Sequence, residues 1–161
     1  MKNNLKKNII ERYSRQIVLK NVGITGQKKI INSKVLVVGA GGLGCPVIDT
    51  LSRAGIGTIG IADHDKVSLS NIHRQNLYNS KDVGKFKVDV VKKKIKSINK
   101  NVKIIKLKKK ITEKNIFKII KNYEIIVDGS DNFKTKFLLN KYSIKCSKTL
   151  IVGAISKFDG H

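Results

Sequence analysis

Short apolar runs alternate with longer amphipathic stretches along most of this chain. Residues 34–38 read KVLVV, a continuous apolar run with the length of a buried strand. Similar runs predict further strands over 58–62, 102–107, 124–127 and 149–152, and the stretches between them predict helices over 43–54, 84–98, 113–121 and 132–146. Strands that alternate with helices form βαβ units. The pattern therefore predicts an α/β fold with a Rossmann-like, mostly parallel sheet flanked by helices.

The first part of the chain has a different pattern. Apolar residues at near-helical spacing between Ile9 and Leu19 predict an amphipathic helix, and a second short helix is predicted over 26–31. We therefore assign residues 1–33 to an N-terminal helical extension and residues 34–161 to the α/β domain.

Composition narrows the class of protein. The chain has 161 residues, of which 40% are hydrophobic and 28% charged, as in an ordinary globular domain. No apolar stretch approaches the ~20 residues needed to span a bilayer, and the N-terminus lacks the apolar segment of a secretory signal. Cys45 and Cys146 form no C-x-x-C pair, which argues against a disulfide framework or a cysteine zinc site. We expect a cytoplasmic protein.

The formal net charge of +23 has two interpretations. Such a charge attracts nucleic acids and anionic membranes without specificity. However, lysine supplies nearly all of it, and no aromatic residue that could stack on bases interrupts the lysine-rich run at 92–110. We favour compositional bias with solvated lysine faces, and expect neither a specific nucleic-acid partner nor a membrane partner.

A glycine-rich turn follows the first predicted strand. Gly39, Gly41, Gly42 and Gly44 lie between the strand at 34–38 and the helix that begins near Leu43. Glycines let backbone N–H groups approach a phosphate closely, and a helix N-terminus favours negative charge. The motif therefore predicts a phosphate-bearing ligand, although a purely structural turn is the alternative.

Acidic residues follow the second predicted strand. Asp63 lies about 20 residues after the glycine turn, where a carboxylate accepts hydrogen bonds from ribose hydroxyls. Asp65 is either a supporting residue or a solvated loop acid. Up to this point an NAD-binding domain fits equally well.

A dense polar run, Ser70–Asn76, comes next and favours a triphosphate. Its Arg74 suits this role because a guanidinium binds phosphate oxygens in pairs. Lys87 could add a point charge, although by itself it would be interpreted as one surface lysine among many.

Two further acids, Asp128 and Asp131, follow the fourth predicted strand. They suggest a Mg²⁺ ligand, because Mg²⁺ binds one or two carboxylates together with phosphate oxygens. Alternatively, Ser130 or Asp131 only caps the helix that begins at Asn132.

Five segments, in this order, resemble the ThiF/MoeB/HesA family, the bacterial relatives of the ubiquitin-activating enzymes. The segments are RYSRQI at 12–17, VLVVGAGGLGCP at 35–46, DHDKVSLSNIHRQ at 63–75, VGKFK at 83–87 and DGSDNFKTKFLLN at 128–140. The resemblance covers almost the whole chain from about Arg12. It identifies residues 34–161 as a ThiF-type nucleotide-binding domain, C-terminally incomplete by comparison with the family.

The resemblance implies an ATP-dependent adenylyltransferase. Members of the family activate the C-terminal glycine of a small ubiquitin-like sulfur-carrier protein as an acyl adenylate, with release of pyrophosphate. The pathway is thiamine or molybdopterin type sulfur transfer. The resemblance therefore implies ATP and Mg²⁺, a carrier protein that ends in Gly-Gly, and a homodimer.

Matching positions give each candidate residue an implied role. Gly42 and its neighbours hold the phosphates, Asp63 binds the ribose, and Asp131 organises Mg²⁺. Arg15 resembles an arginine that the family supplies from the other subunit. The nucleotide-binding set is Gly39, Gly41, Gly42, Gly44, Asp63, Asn71, Arg74, Lys87, Asp131 and Asn132, the catalytic set is Arg15, Arg74 and Asp131, and the metal ligand is Asp131.

Two other functions stay open at this point. An NAD-dependent oxidoreductase would use the glycine motif and Asp63, but would leave Asn71, Arg74 and Asp131 without a role. A truncated, non-catalytic module for nucleotide binding and dimerisation would keep the site without the full activity.

Overall fold

A computed structural model describes residues 5–161 of the chain. Its helices are α1 (Lys7–Arg12), α2 (Ser14–Ile17), α3 (Gly23–Asn32), α4 (Gly44–Ala54), α5 (Lys87–Ile98), α6 (Glu113–Ile120) and α7 (Phe133–Lys145). Its strands are β1 (Lys34–Val38), β2 (Thr58–Ala62), β3 (Lys103–Leu107), β4 (Ile125–Asp128), β5 (Thr149–Val152), β6 (Ile155–Ser156) and β7 (Asp159–Gly160).

Strands β1 to β5 form one parallel sheet in the order β3-β2-β1-β4-β5. The central strand β1 is apolar at consecutive positions because both of its faces are covered. Val35 and Val37 belong to the core cluster on one face, and Leu36 and Val38 belong to the cluster on the other. The α/β, Rossmann-like fold predicted from the apolar pattern is therefore confirmed.

Each face of the sheet packs against its own pair of helices. On one face, Ile48 from α4 and Ile95 from α5 are fully buried against the sheet. On the other, Ile120 from α6 and Leu139 from α7 are fully buried. Burial of a side chain of this size contributes about 1.5–3 kcal/mol, so the two helix layers hold the sheet in place from both sides.

The strand predictions at 34–38, 58–62 and 149–152 are confirmed at the predicted limits, and those for β3 and β4 are confirmed to within one residue. The short antiparallel hairpin of β6 and β7 was not predicted. Its two-residue strands are too short to give an alternating apolar pattern.

The N-terminal helices differ from the prediction. The single helix expected between Ile9 and Leu19 is broken at Tyr13, whose φ of −107° and ψ of 16° separate α1 from α2. The break turns the Tyr13 ring inward, where only 3% of the residue is exposed and its hydroxyl accepts a hydrogen bond from Asn99 Nδ2 at 2.8 Å. A tertiary contact overrides the local helical pattern here.

Helix α5 also begins later than predicted, at Lys87 instead of Gly84. Gly84 has a φ of +85°, and Phe86 has an extended backbone that pairs with Lys66 in an isolated antiparallel bridge. The extended segment fixes the first residue of the helix, Lys87, beside the carboxyl end of β2.

The lysines between Lys92 and Lys110 are all exposed, as expected for solvated faces. Among the helices of residues 5–161, none combines the length and the apolar character that a membrane crossing requires.

Candidate functional site

Three of the predicted segments meet at one edge of the sheet. The last residue of β1, Val38, is in register with Ala62 of β2 on one side and with Asp128 of β4 on the other. The glycine turn, the Asp63 segment and the Asp128–Asn132 segment leave the sheet directly beyond these residues. The structure therefore brings together the segments in which ligand-binding residues were predicted, at the place where parallel α/β sheets bind ligands.

Two glycines of the turn are required by the fold itself. Gly39 has a φ of +90°, and a Cβ placed on it would lie 2.7 Å from the carbonyl oxygen of Gly129. A Cβ on Gly44 would lie only 1.9 Å from the carbonyl oxygen of Gly39. Any side chain at these positions would displace backbone atoms, so Gly39 and Gly44 shape the turn.

The other two glycines are not required by the fold. A Cβ on Gly41 would meet nothing closer than Gln75 Nε2 at 3.8 Å, and a Cβ on Gly42 would meet Arg74 Cδ and Nε at 3.7 Å. Neither residue has a positive φ, and both distances are ordinary van der Waals contacts. Gly41 and Gly42 therefore leave an open backbone surface beneath two nitrogen-bearing side chains.

The carboxylate of Asp63 fixes the turn from the end of β2. Its Oδ2 accepts the N–H of Ala40 at 2.7 Å and its Oδ1 accepts the N–H of Asp65 at 2.8 Å. Asp63 is 8% exposed, and each carboxylate oxygen retains a lone pair for a ligand hydroxyl. Asp63 thus has a structural role in the turn beside its predicted role in ribose binding.

The carbonyl group of Ala40 is held by two side chains that the sequence did not single out. Tyr78 Oη donates to it at 2.8 Å and Cys45 Sγ donates to it at 3.3 Å. Burial raises the pKa of both the Tyr78 hydroxyl and the Cys45 thiol, so both groups stay protonated as donors. The one signal for Tyr78 in the sequence was an aromatic residue at the end of an otherwise polar loop.

Lys87 is the one lysine among residues 5–161 that is buried. Its Nζ lies 3.0 Å from Asp65 Oδ2, and its backbone N–H donates to the carbonyl oxygen of Asp65 at 3.0 Å. The Asp65 carboxylate is half exposed, so a ligand that approaches from solvent reaches the same pair. The sequence could not distinguish Lys87 from a surface lysine, and the structure makes that distinction through burial.

The polar loop 70–76 folds over the glycine turn. Arg74 Nη1 donates to the carbonyl oxygen of Ser70 at 2.9 Å and lies 2.9 Å from His73 Nε2, which holds the exposed guanidinium beside Gly42. The side-chain oxygen of Asn71 accepts the N–H of Ser68 at 3.2 Å and stabilises the short 3₁₀ turn Leu69–Asn71. Asn71 and Arg74 are thus placed by contacts within the loop.

The acidic segment after β4 separates into two parts. Asp128 is fully buried, with its Oδ1 accepting the N–H and the hydroxyl of Ser130 at 2.9 and 2.6 Å and its Oδ2 paired with Lys136 Nζ at 3.3 Å. Asp131 is exposed, and the nearest donor to it is Asn132 Nδ2 at 3.5 Å. Asp128 is therefore occupied inside the protein, and Asp131 presents its carboxylate to solvent.

The cap of α7 is neither Ser130 nor Asp131. Asn132 takes the N-cap position, and its side-chain oxygen accepts the N–H of Thr135 at 2.9 Å. The helix begins at Phe133, one residue later than expected, because Asn132 itself has an extended backbone. This cap leaves Asp131 without a capping role.

Carboxylates that could hold Mg²⁺ lie at two places in the site, the Asp63–Asp65 segment and Asp131. One ligand atom from each of Asp63, His64 and Asp65 lies within 4.8 Å of the others, but the two carboxylates already bind backbone N–H groups and Lys87. Asp131 has an exposed carboxylate without a strong internal partner. One free carboxylate together with nucleotide phosphates fits the ligand preference of Mg²⁺, so Asp131 fits the predicted role.

Arg15 is the one predicted site residue that lies away from the others. It is exposed on α2, and its side chain forms no hydrogen bond or ion pair with residues 5–161. The adjacent Gln16 donates to the carbonyl oxygen of Ala54 at 3.2 Å, at the far end of α4. Since α4 has 11 residues and a length of about 16 Å, Arg15 is remote from the glycine turn of its own chain.

Comparison with known proteins gives relatives whose names all include adenylyltransferase. A sulfur carrier protein adenylyltransferase from Thermus thermophilus is 42% identical over 151 residues, which cover 94% of this chain and 56% of that protein. A protein from Gracilaria tenuistipitata named "Probable molybdopterin-synthase adenylyltransferase" is 43% identical, over 94% of this chain and 42% of that protein. The chain thus spans about half the length of these relatives.

A solved structure and a protein-family model also match this chain. The crystal structure of E. coli MccB with ATP superposes with a TM-score of 0.82 at 28% identity, covering 91% of this chain and 46% of that one. The profile of the ThiF family matches residues 13–161, which include every predicted site residue. The resemblance inferred from the five sequence segments is confirmed, and this chain belongs to the ThiF family.

Proposed function

We propose that the chain binds Mg-ATP at the edge of the sheet and adenylates the C-terminal glycine of a small ubiquitin-like sulfur-carrier protein. The observation that carries the proposal is the open backbone of Gly41 and Gly42 beneath Arg74. The fold does not need glycine at these two positions, whereas a phosphate that binds the backbone closely does. The names of the curated relatives support an adenylyltransferase.

The reaction depends on neutralisation of charge by the protein more than on covalent catalysis. A carboxylate oxygen of the carrier attacks the α-phosphorus of ATP, the bond from that phosphorus to the bridging oxygen breaks, and pyrophosphate leaves with the electron pair. Both reactants are anionic, so the barrier falls when fixed positive groups surround the phosphates. Arg74 supplies a planar set of donors, and Lys87 supplies a charge that burial keeps in one place.

The contacts of Asp63 suit a nucleoside as well as the turn. Its carboxylate holds Ala40 and so fixes the peptide that follows Gly39, and its remaining lone pairs can accept hydrogen bonds from ribose hydroxyls. Asp131 would hold Mg²⁺, which when bound shields the phosphate charge.

Arg15 acts from the second subunit of a homodimer in this proposal. The support is its exposed position near the far end of α4, from which it cannot reach the glycine turn of its own chain. Mixing Arg15→Ala with Lys87→Met tests this arrangement. A mixed dimer contains one site with both residues intact, so activity should return on mixing, and no return would contradict the dimer.

The proposal extends to the carrier, the pathway and the compartment. The relatives are named for sulfur carriers and for molybdopterin synthase, which supports a carrier of the molybdopterin type over one of the thiamine type. A panel of both kinds of carrier with Gly-Gly termini separates them. We place the protein in the cytoplasm.

ATP–pyrophosphate exchange tests the function directly. The chain is incubated with Mg-ATP, labelled pyrophosphate and each carrier, and label in ATP is measured. Exchange that depends on the carrier and disappears when its terminal glycine is removed is the expected result. Tight binding of Mg-ATP without exchange would favour a non-catalytic nucleotide-binding module, and tighter binding of NAD than of Mg-ATP would contradict the proposal.

A further inference from the structure

Gln75 is buried inside a loop whose neighbouring side chains are exposed. Only 3% of Gln75 is exposed, whereas Arg74 and Asn76 both face solvent. Its backbone N–H donates to the carbonyl oxygen of Asn71 at 3.0 Å, and its carbonyl oxygen accepts the N–H of Tyr78 at 3.1 Å. The backbone thus fixes the side chain beneath the loop and against the glycine turn.

The carboxamide of Gln75 includes a buried atom that has no hydrogen-bond partner among residues 5–161. Its Oε1 is buried and accepts no hydrogen bond from any residue between 5 and 161. A buried acceptor without a partner destabilises a protein, so such groups call for an explanation. Packing alone does not give one, because an apolar side chain of the same length would fill this space without that penalty.

The orientation of the carboxamide gives the explanation. Its Nε2 faces Gly41 and is the nearest atom, at 3.8 Å, to a Cβ placed on that glycine. The adjacent Arg74 faces Gly42 in the same way, at 3.7 Å. Two successive side chains of the loop therefore place nitrogen atoms over two successive glycines. The reverse orientation of Gln75 would place a carbonyl oxygen where the proposed function requires an anion.

We propose that Gln75 is a phosphate-binding residue whose Nε2 donates a hydrogen bond to a nucleotide phosphate oxygen over Gly41. The inference rests on the proposed function and extends it by a residue outside the set predicted from the sequence. A neutral donor adds a directional contact without further charge, so Gln75 fixes the position of the phosphate while Arg74 and Lys87 supply the attraction. A hydrogen bond to a charged group of this kind changes affinity by about tenfold to a hundredfold.

Three variants and two ligands test the inference. Gln75→Glu keeps the shape but replaces the donor with a negative oxygen, and Gln75→Met keeps the length but removes both polar atoms. Asn76→Asp makes the same chemical change as Gln75→Glu on the exposed neighbour and is the matched control. Dissociation constants for Mg-ATP and for adenosine, measured by calorimetry, separate a phosphate contact from a general loss of structure.

Gln75→Glu should weaken the affinity for Mg-ATP by about tenfold or more, and it should change the affinity for adenosine by less than about twofold. Gln75→Met should weaken the affinity for Mg-ATP less than Gln75→Glu does. Its Tm should be equal to or above that of the wild type, because the unpaired acceptor is gone. Asn76→Asp should leave both constants within about threefold, since its charge is solvated.

Wild-type affinity for Mg-ATP in both Gln75 variants would overturn the inference while leaving the proposed function intact. Equal losses for Mg-ATP and adenosine, together with a lower Tm, would also overturn it, because they would show a structural role only. Wild-type protein that binds Mg-ATP no tighter than adenosine would overturn both the inference and the proposed function.

Discussion

The carboxylate of Asp63 accepts the backbone N–H of Ala40 at 2.7 Å and so joins the end of β2 to the glycine turn after β1. The carbonyl oxygen of Ala40, which belongs to the next peptide, accepts a hydrogen bond from Tyr78 Oη at 2.8 Å. The two peptides that flank the Cα of Ala40 are therefore each held by a side chain, and the backbone on which the phosphates are proposed to lie is fixed before any ligand arrives. Preorganised donors of this kind are the main means by which such sites stabilise developing charge.

Replacing Asp63 should affect both stability and binding. In Asp63→Asn one of the two acceptor oxygens becomes an NH₂ group that faces a backbone N–H, so the free energy of unfolding should fall by about 1–3 kcal/mol. Mg-ATP and adenosine should both bind less tightly, because a ribose contact is common to the two. Urea denaturation and calorimetry measure these effects. Asp131→Asn is the control, and its free energy of unfolding should stay within about 0.5 kcal/mol of the wild-type value. A large loss of stability in this variant would contradict the exposed position of Asp131.

The glycines of the turn should divide into two classes. Gly44→Ala places a Cβ 1.9 Å from a backbone oxygen, and we expect a loss above about 3 kcal/mol or no folded protein. Gly42→Ala meets only the Arg74 side chain at 3.7 Å, so its free energy of unfolding should stay within about 1 kcal/mol of the wild type. Its affinity for Mg-ATP should nevertheless fall by about tenfold or more, since the new methyl group occupies the space proposed for a phosphate. Urea denaturation measures the free energy of unfolding, and calorimetry measures the affinity for Mg-ATP. Equal values for the two variants in both measurements would contradict this division.

Removing the buried charge of Lys87 should separate binding from stability. Lys87→Met leaves Asp65 without its partner, but the Asp65 side chain is 52% exposed and is readily solvated. We therefore expect a free energy of unfolding within about 1 kcal/mol of the wild-type value. Mg-ATP should bind less tightly, and the binding of adenosine should not change. Lys85→Met, which removes a surface lysine paired with Asp82, is the control and should leave both affinities unchanged. A similar loss of Mg-ATP affinity in both variants would point to net charge instead of the site.

Asp89 should make stability depend on pH in the acid range. Hydrogen bonds from Lys106 and Lys108 hold the pKa of Asp89 below its usual value of 3.8. Because the folded protein has the lower pKa, the contribution is present above the unfolded value and is lost as pH falls through the folded value. Wild type should therefore have a higher Tm than Asp89→Asn near neutral pH, and the difference should shrink as the pH falls below 3.8, the usual pKa of the group.

The control for this pH series is Asp159→Asn, which removes the same charge from the exposed strand β7. Its Tm should follow that of the wild type across the series. A constant difference between wild type and Asp89→Asn at all pH values would show that the two lysine contacts do not depend on the ionised carboxylate.

The sequence by itself determined the order of strands and helices, and with it the α/β class. Apolar runs such as 34–38 are set by burial on both faces of a sheet, a requirement that is written into consecutive residues. The motif residues at the ends of these runs, including Asp63 and Asp128, could be singled out from the sequence as well. Their chemistry and their spacing along the chain are local information.

Tertiary structure alone decided which of several chemically similar residues are buried, which are paired and which face solvent. Lys87 differs from the other lysines of residues 5–161 only in burial, which depends on the extended segment that precedes α5. Asp128 and Asp131 differ only in that the first is enclosed beside Lys136 and the second faces solvent. Gly41 and Gly44 differ only in what a side chain would meet. In each case the deciding neighbour is distant along the chain or depends on the exact path of the backbone, so no local pattern carried the information.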